Sequence, residues 1–135
     1  MAQESLVMDE IEAGADLIRA MARLHKIGVA FWLREDDEDQ RQLYISSDDF
    51  DLANRPAAYE TLTRLMDQHP SIFIEPLQVN LIGGDDRWAV AAKQFNDRSA
   101  DRLGTRLRSV AFAGQPIADA YIYPVDLSPS FPRFG

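Results

Sequence analysis

The chain has 135 residues, no cysteine and a formal net charge of −8. That length suits one domain with a real core, and the missing thiols exclude disulfides, thiolate catalysis and cysteine-held zinc or iron–sulfur centres. Residues 1–60 hold fourteen acids against six bases and residues 61–135 hold eight of each, so the charge excess lies in the first half, where it disfavours nucleic acid and anionic membranes by long-range repulsion.

The first ten residues, from Met1 to Glu10, carry neither the basic start nor the apolar run of a signal peptide. No apolar stretch is longer than Val29–Leu33, far short of the roughly 20 residues a membrane span needs. The reading is a cytoplasmic domain with no membrane association.

Helical spacing predicts a long amphipathic helix over Glu4–Lys26, with Ile11, Ala15, Ile18 and Met21 among its apolar positions. Acids crowd its start and bases its end, which complements the helix dipole, and Gly28 is the expected stop. Val29–Arg34 and Gln42–Ser47 read as a strand pair closed by the acidic loop Glu35–Arg41. Pro56 suits the first turn of a second helix running to Gln68, and Pro70 ends it. Leu77–Ile82 is a third strand. Gly83-Gly84 turns the chain, and Asp85 or Asp86 caps a third helix over Arg87–Asn96. Arg106–Phe112 and Ala118–Tyr123 are the last strands, joined around Ala113-Gly114-Gln115-Pro116. The expected order is αββαβαββ: an α+β fold in which a mostly antiparallel sheet of about five strands carries three helices on one face. Residues 1–127 form the domain, and 128–135 an irregular tail.

The stretches Ala30-Phe-Trp-Leu33, Leu43-Tyr-Ile-Ser-Ser47, Ala58-Tyr59, Leu81-Ile-Gly83 and Ala120-Tyr-Ile-Tyr-Pro124 together resemble an uncharacterised family of small bacterial α+β proteins. The resemblance runs from the first helix to Pro124 and implies a bacterial source. It implies no activity, cofactor or catalytic residue. Ser47-Asp-Asp-Phe-Asp51 departs from the family's apolar or proline-containing segment after the second strand.

Alternation along the strands singles out candidate binding residues. With Val29, Phe31, Leu33, Leu43 and Ile45 on one face, Trp32 and Tyr44 fall on the other. Tyr121 and Tyr123 oppose Ala120 and Ile122, and Arg106 shares a face with Arg108. If the helices cover only the aliphatic face, the open face presents Trp32, Tyr44, Arg106, Arg108, Tyr121 and Tyr123, a set of rings and guanidinium groups suited to recognition. The bland alternative is that these rings pack on one another as a satellite cluster or lie under the C-terminal tail.

The acidic run Glu35–Asp39 and the later Asp48, Asp49 and Asp51 are oxygen donors of the kind hard cations take, but their spacing fails the calcium-loop pattern and a solvated hairpin tip explains them. Gly83-Gly84-Asp85-Asp86 lacks the Lys and hydroxyl of a phosphate loop, so a turn and helix cap explain it. His25 and His69 each sit at a predicted helix end, where the dipole favours them. No nucleophile elbow, metal set or cofactor motif stands out. The leading expectation is a non-enzymatic interaction module, binding a protein partner or forming a homodimer. The alternatives are a metal-dependent hydrolase or nuclease built on clustered aspartates, and a small-ligand binder in a cleft.

Overall fold

A computed structural model describes residues 8–36, 40–69, 73–98 and 105–124. The chain runs α1 (Met8–Ala22), β1 (Ile27–Glu35), β2 (Gln42–Ser47), α2 (Arg55–Gln68), a short 3-10 turn (Pro76–Gln78), β3 (Val79–Ile82), α3 (Arg87–Arg98), β4 (Thr105–Phe112) and β5 (Gln115–Ile122). The predicted order of elements and the α+β class hold. Strand order across the sheet is β3-β2-β1-β5-β4. Every strand pair is antiparallel except β2 with β3, which is parallel. No helix among the described residues is long and apolar enough to cross a membrane.

The helices do not share one face. Ile11, Ile18 and Met21 of α1 and Ala58 and Leu62 of α2 pack with Ala30, Trp32, Leu43 and Ile45. Trp88, Ala89 and Ala92 of α3 pack with Val29, Phe31, Leu33 and Ile122 on the opposite side. The expectation of three helices on one face is therefore corrected to three layers, with α1 and α2 below the sheet and α3 above it. The physical reason lies in β1, where all five residues from Val29 to Leu33 are buried. An unbroken apolar run in a strand signals burial on both faces rather than one. The chain's path supplies the cover: α3 links β3 at one sheet edge to β4 at the other and crosses over β1 on the way.

Two local devices shape the strands. The register of β1 against β2 shifts between Ile27 and Ala30, and the buried Ser46 hydroxyl fills that bulge. Its oxygen accepts from the Val29 N–H at 2.9 Å and donates to the Val29 carbonyl at 3.0 Å. Gly28 thus belongs to the start of β1 rather than to a helix stop, because α1 already ends at Ala22. At the edge strand β3, the Leu81 N–H donates to the Tyr59 hydroxyl of α2 at 2.9 Å, which satisfies an amide a foreign strand could otherwise capture.

The last hairpin turns more tightly than expected. Phe112 pairs directly with Gln115, so the turn is only Ala113-Gly114, and both residues have positive φ, 53° and 81°. That is the signature of a two-residue hairpin turn matched to strand twist. Pro116 consequently sits inside β5. It pairs with Ala111 of β4, while the pairing of β5 with β1 extends only as far as Ile117, so no second strand asks Pro116 for the N–H it lacks. The expected tail, 128–135, and most of the acidic hairpin tip, 37–39, lie outside the described residues.

Alanine in the left-handed region is strained, whereas asparagine tolerates it. Ala113→Asn should therefore raise stability by about 1 kcal/mol, read as a higher urea midpoint with an unchanged slope. A lower midpoint would refute the turn assignment.

Candidate functional site

Register decides where the candidate binding residues go. Trp32 lies opposite Leu43 in β2, while Tyr44 lies opposite Phe31. Directly opposed residues of an antiparallel pair share a face, so Trp32 and Tyr44 face opposite sides. The expected pairing was one residue out, because hairpin register follows the turn, and a slip of one residue exchanges the faces.

Tyr44 stacks on Phe31 with ring centroids 5.1 Å apart and lies 6.4 Å from the Trp88 ring of α3. Trp32, Tyr121 and Tyr123 do share a face, as alternation predicts, but α1 covers it. Trp32 is 0% exposed and Tyr123 3%. Trp32 Nε1 donates to Tyr123 Oη at 2.9 Å, and Tyr123 Oη donates to the Ile11 carbonyl of α1 at 2.6 Å. Gly14 is the helix position above this pair: a Cβ there would collide with Tyr123 Oη and press on Trp32 Nε1. Tyr121 is half-buried beside Tyr123, with their rings edge-to-face at 5.0 Å. The Arg106 guanidinium stands 5.9 Å from the Tyr121 ring. Arg108 occupies the register position opposite Asp119, and its side chain lies outside the description. The open aromatic face expected from the sequence is thus corrected for Trp32, Tyr44 and Tyr123, which pack under the helices, with Trp32 and Tyr123 serving as anchors for α1, whereas Tyr121 is half-buried and Arg106 exposed.

A charged network that sequence reasoning passed over joins α1 to the sheet. Arg41 and Asp119 are both buried. Asp119 Oδ2 is 3.3 Å from Arg34 NH2, and Asp119 Oδ1 is 3.4 Å from Arg41 Nε. Arg41 NH1 reaches Glu10 of α1 at 3.6 Å. The available signal was the single acid inside the apolar pattern Ile117-Ala-Asp-Ala-Tyr121. A buried charge of this kind requires a partner.

Two of the concavities lined by the described residues bear on function. One, of about 420 Å³, lies at the C-terminal ends of the parallel strands β2 and β3, between Asp48, Asp51, Arg55, Gly84 and Asp85. Arg55 NH2 donates to the Phe50 carbonyl at 2.7 Å. Asp86 caps α3 by accepting from the Trp88 N–H at 2.9 Å, as the turn-and-cap reading expects. Among the described residues, no three of His, Asp and Glu converge as a metal site. His25 lies past the end of α1, with its Nδ1 3.3 Å from Asp49 and its ring edge-on to Phe50.

The other concavity, of about 660 Å³, is a groove between α1 and α2. Leu17, Leu65, Met66 and Phe73 supply its apolar lining. Asp9 and Glu12 stand toward the start of α1, Asp16 near its middle and Arg19 in its last turn, with Arg23 just past the helix end. Phe73 is 38% exposed.

Comparison with protein-family models, curated proteins and solved structures finds no match.

Two expectations follow from the anchors. Asp119→Ala removes the carboxylate shared by Arg34 and Arg41 and should cost about 3–5 kcal/mol in chemical denaturation, the usual penalty for stranding a buried charge; a change below about 1 kcal/mol would place that network in solvent. Burial pushes the Tyr123 hydroxyl well above the usual tyrosine range, and the hydrogen bond from Trp32 offsets this only in part. Above about pH 10 the unfolded chain releases that proton while the folded chain keeps it, so stability falls as pH rises. Tyr123→Phe should lower stability at neutral pH and make the alkaline decline of the melting temperature shallower; an unaltered decline would mean that Tyr123 ionises freely in the fold.

Proposed function

We propose that this chain is a non-catalytic interaction module and that its contact surface is the groove between α1 and α2. The observation that carries this reading is the open apolar lining of Leu17, Leu65, Met66 and Phe73 between charged helix flanks. The rings of Trp32, Tyr44 and Tyr123 are taken up by packing under the helices, so the groove between α1 and α2 is the apolar surface this reading assigns to recognition. A groove between helices accepts an extended or helical segment by burying its apolar side chains, while charges on the rim set its direction. The acids at one end of α1 and the bases at the other give this groove such a direction. The helix beneath is tied down from inside by the Tyr123 bond to Ile11 and by the Arg41 pair with Glu10, and a preorganised surface binds at lower entropic cost.

A photo-crosslinking amino acid placed at Phe73, with a control at Val90 on α3, tests the reading in the cells that make the protein. Both side chains are solvent-accessible. The expected result is a discrete adduct from position 73 that is lost when Leu17→Asp is added and is absent from position 90. No adduct at 73, or the same adducts from both positions, would overturn it.

A further inference from the structure

We infer that a second copy of the chain packs along the charged α1 wall of this groove, in antiparallel fashion about a two-fold axis beside Asp16. The inference shares the α1 wall with the groove reading and goes beyond it, since the contact is made by the charges of α1 rather than by the apolar lining. A two-fold contact requires one surface to complement itself, so each residue must suit the residue placed symmetrically across the axis.

The outer face of α1 meets that requirement. Asp9, Glu12, Asp16 and Arg19 recur at three- and four-residue steps on the side of the helix away from the buried Ile11, Ile18 and Met21, and Arg23 follows in the turn just past Ala22. The pair Glu12 and Arg19 is centred within about half a residue of Asp16 along the helix, and Arg23, in the turn past the helix end, lies as far from Asp16 in sequence as Asp9 does. In an antiparallel pair about that axis, Asp9 meets the partner's arginine end and Glu12 meets the partner copy's counterpart of Arg19. The helical period places Glu12 and Arg19 on the same flank of the line through Asp16. Ala13 and Ala20 lie on the other flank, toward the groove, and their small side chains permit close approach. Each charge thus meets its opposite and each alanine an alanine.

Asp16 is the one residue that would face its own copy. Its carboxylate already holds Arg19 at 3.2 Å, which screens the two aspartates from each other. A parallel arrangement would set acid against acid and base against base along the whole helix, and would also align the helix dipoles unfavourably. Glu10 is excluded from the contact because it turns inward to Arg41.

Charge exchange provides the test. One variant carries Arg19→Glu with Arg23→Glu, and another carries Asp9→Arg with Glu12→Arg. Both leave Glu10 and the buried face of α1 intact, and circular dichroism with thermal melts checks that each folds. Light scattering across a concentration series should show a dimer for wild type. Each variant alone should be a folded monomer, with its dimer Kd raised roughly a hundredfold because like charges now meet on both sides of the axis. An equimolar mixture should recover the dimer mass, since one helix is then acidic and the other basic. That recovery uses the same two chains, so a mere loss of stability cannot produce it. A wild type that stays monomeric at millimolar concentration, a dimer that survives in both variants, or a mixture that remains monomeric would each overturn the two-fold contact. If wild type is monomeric while position 73 still crosslinks to a different protein, self-association fails and the groove reading stands. If position 73 gives no adduct, the groove reading fails with it.

Discussion

β1 has to bury both of its faces, and the architecture is organised around that constraint. Val29, Phe31 and Leu33 point to one side and Ala30 and Trp32 to the other, all of them buried. A strand of this kind is unstable at a sheet edge or beneath a single layer, because half of its apolar surface would stay in water. It occupies the centre of five strands, and each side has its own helical cover. The cluster under α3 is aromatic, with Phe112 stacked on Phe95 and Trp88. The cluster under α1 and α2 is mainly aliphatic, with Trp32 and Tyr123 as its polar-tipped members.

Those two polar tips explain how α1 is held. Apolar packing alone would let a helix slide or rotate on a sheet at little cost, since the hydrophobic effect has no direction. The chain of donors from Trp32 through Tyr123 to the Ile11 carbonyl fixes the helix at one point. Gly14 permits the close approach that these bonds need. The Arg41 contact with Glu10 fixes a second point one residue away along the helix. With its inner side set in this way, α1 presents its outer charges in a constant array, as the proposed contact requires.

The acids of α1 illustrate how one sequence feature divides into separate roles. Asp9 and Glu10 complement the helix dipole in the first turn of α1, while Glu12 and Asp16 lie further along it. Only Glu10 faces inward, where it meets a buried arginine. Asp9, Glu12 and Asp16 line the groove. Counting charge along the chain treats these residues alike, and a rotation of about 100° per residue is what separates them.

Much of the fold was legible because it depends on local periodicity. Element types, a cap at Asp85 or Asp86, which proves to be Asp86, and the inward face of Phe31 follow from 3.6- and 2-residue patterns and from turn chemistry, and the structure bears them out. The candidate site was not legible, for two physical reasons. The faces of Trp32 and Tyr44 depend on hairpin register, which a loop sets and a single strand's alternation does not. The pairing of Arg41 with Asp119 joins residues far apart in the chain, and no local pattern announces such a contact. The unbroken apolar run Val29–Leu33 carries a signal of two-sided burial that the expectation of one open face did not use, and which helix would cover which side depended on the route from β3 to β4 across the sheet. Sequence by itself determined which segments are helix and strand, since backbone preference and side-chain period act over a few residues. Tertiary structure alone decided which surfaces are covered and which remain open, because burial is a property of the whole packed chain.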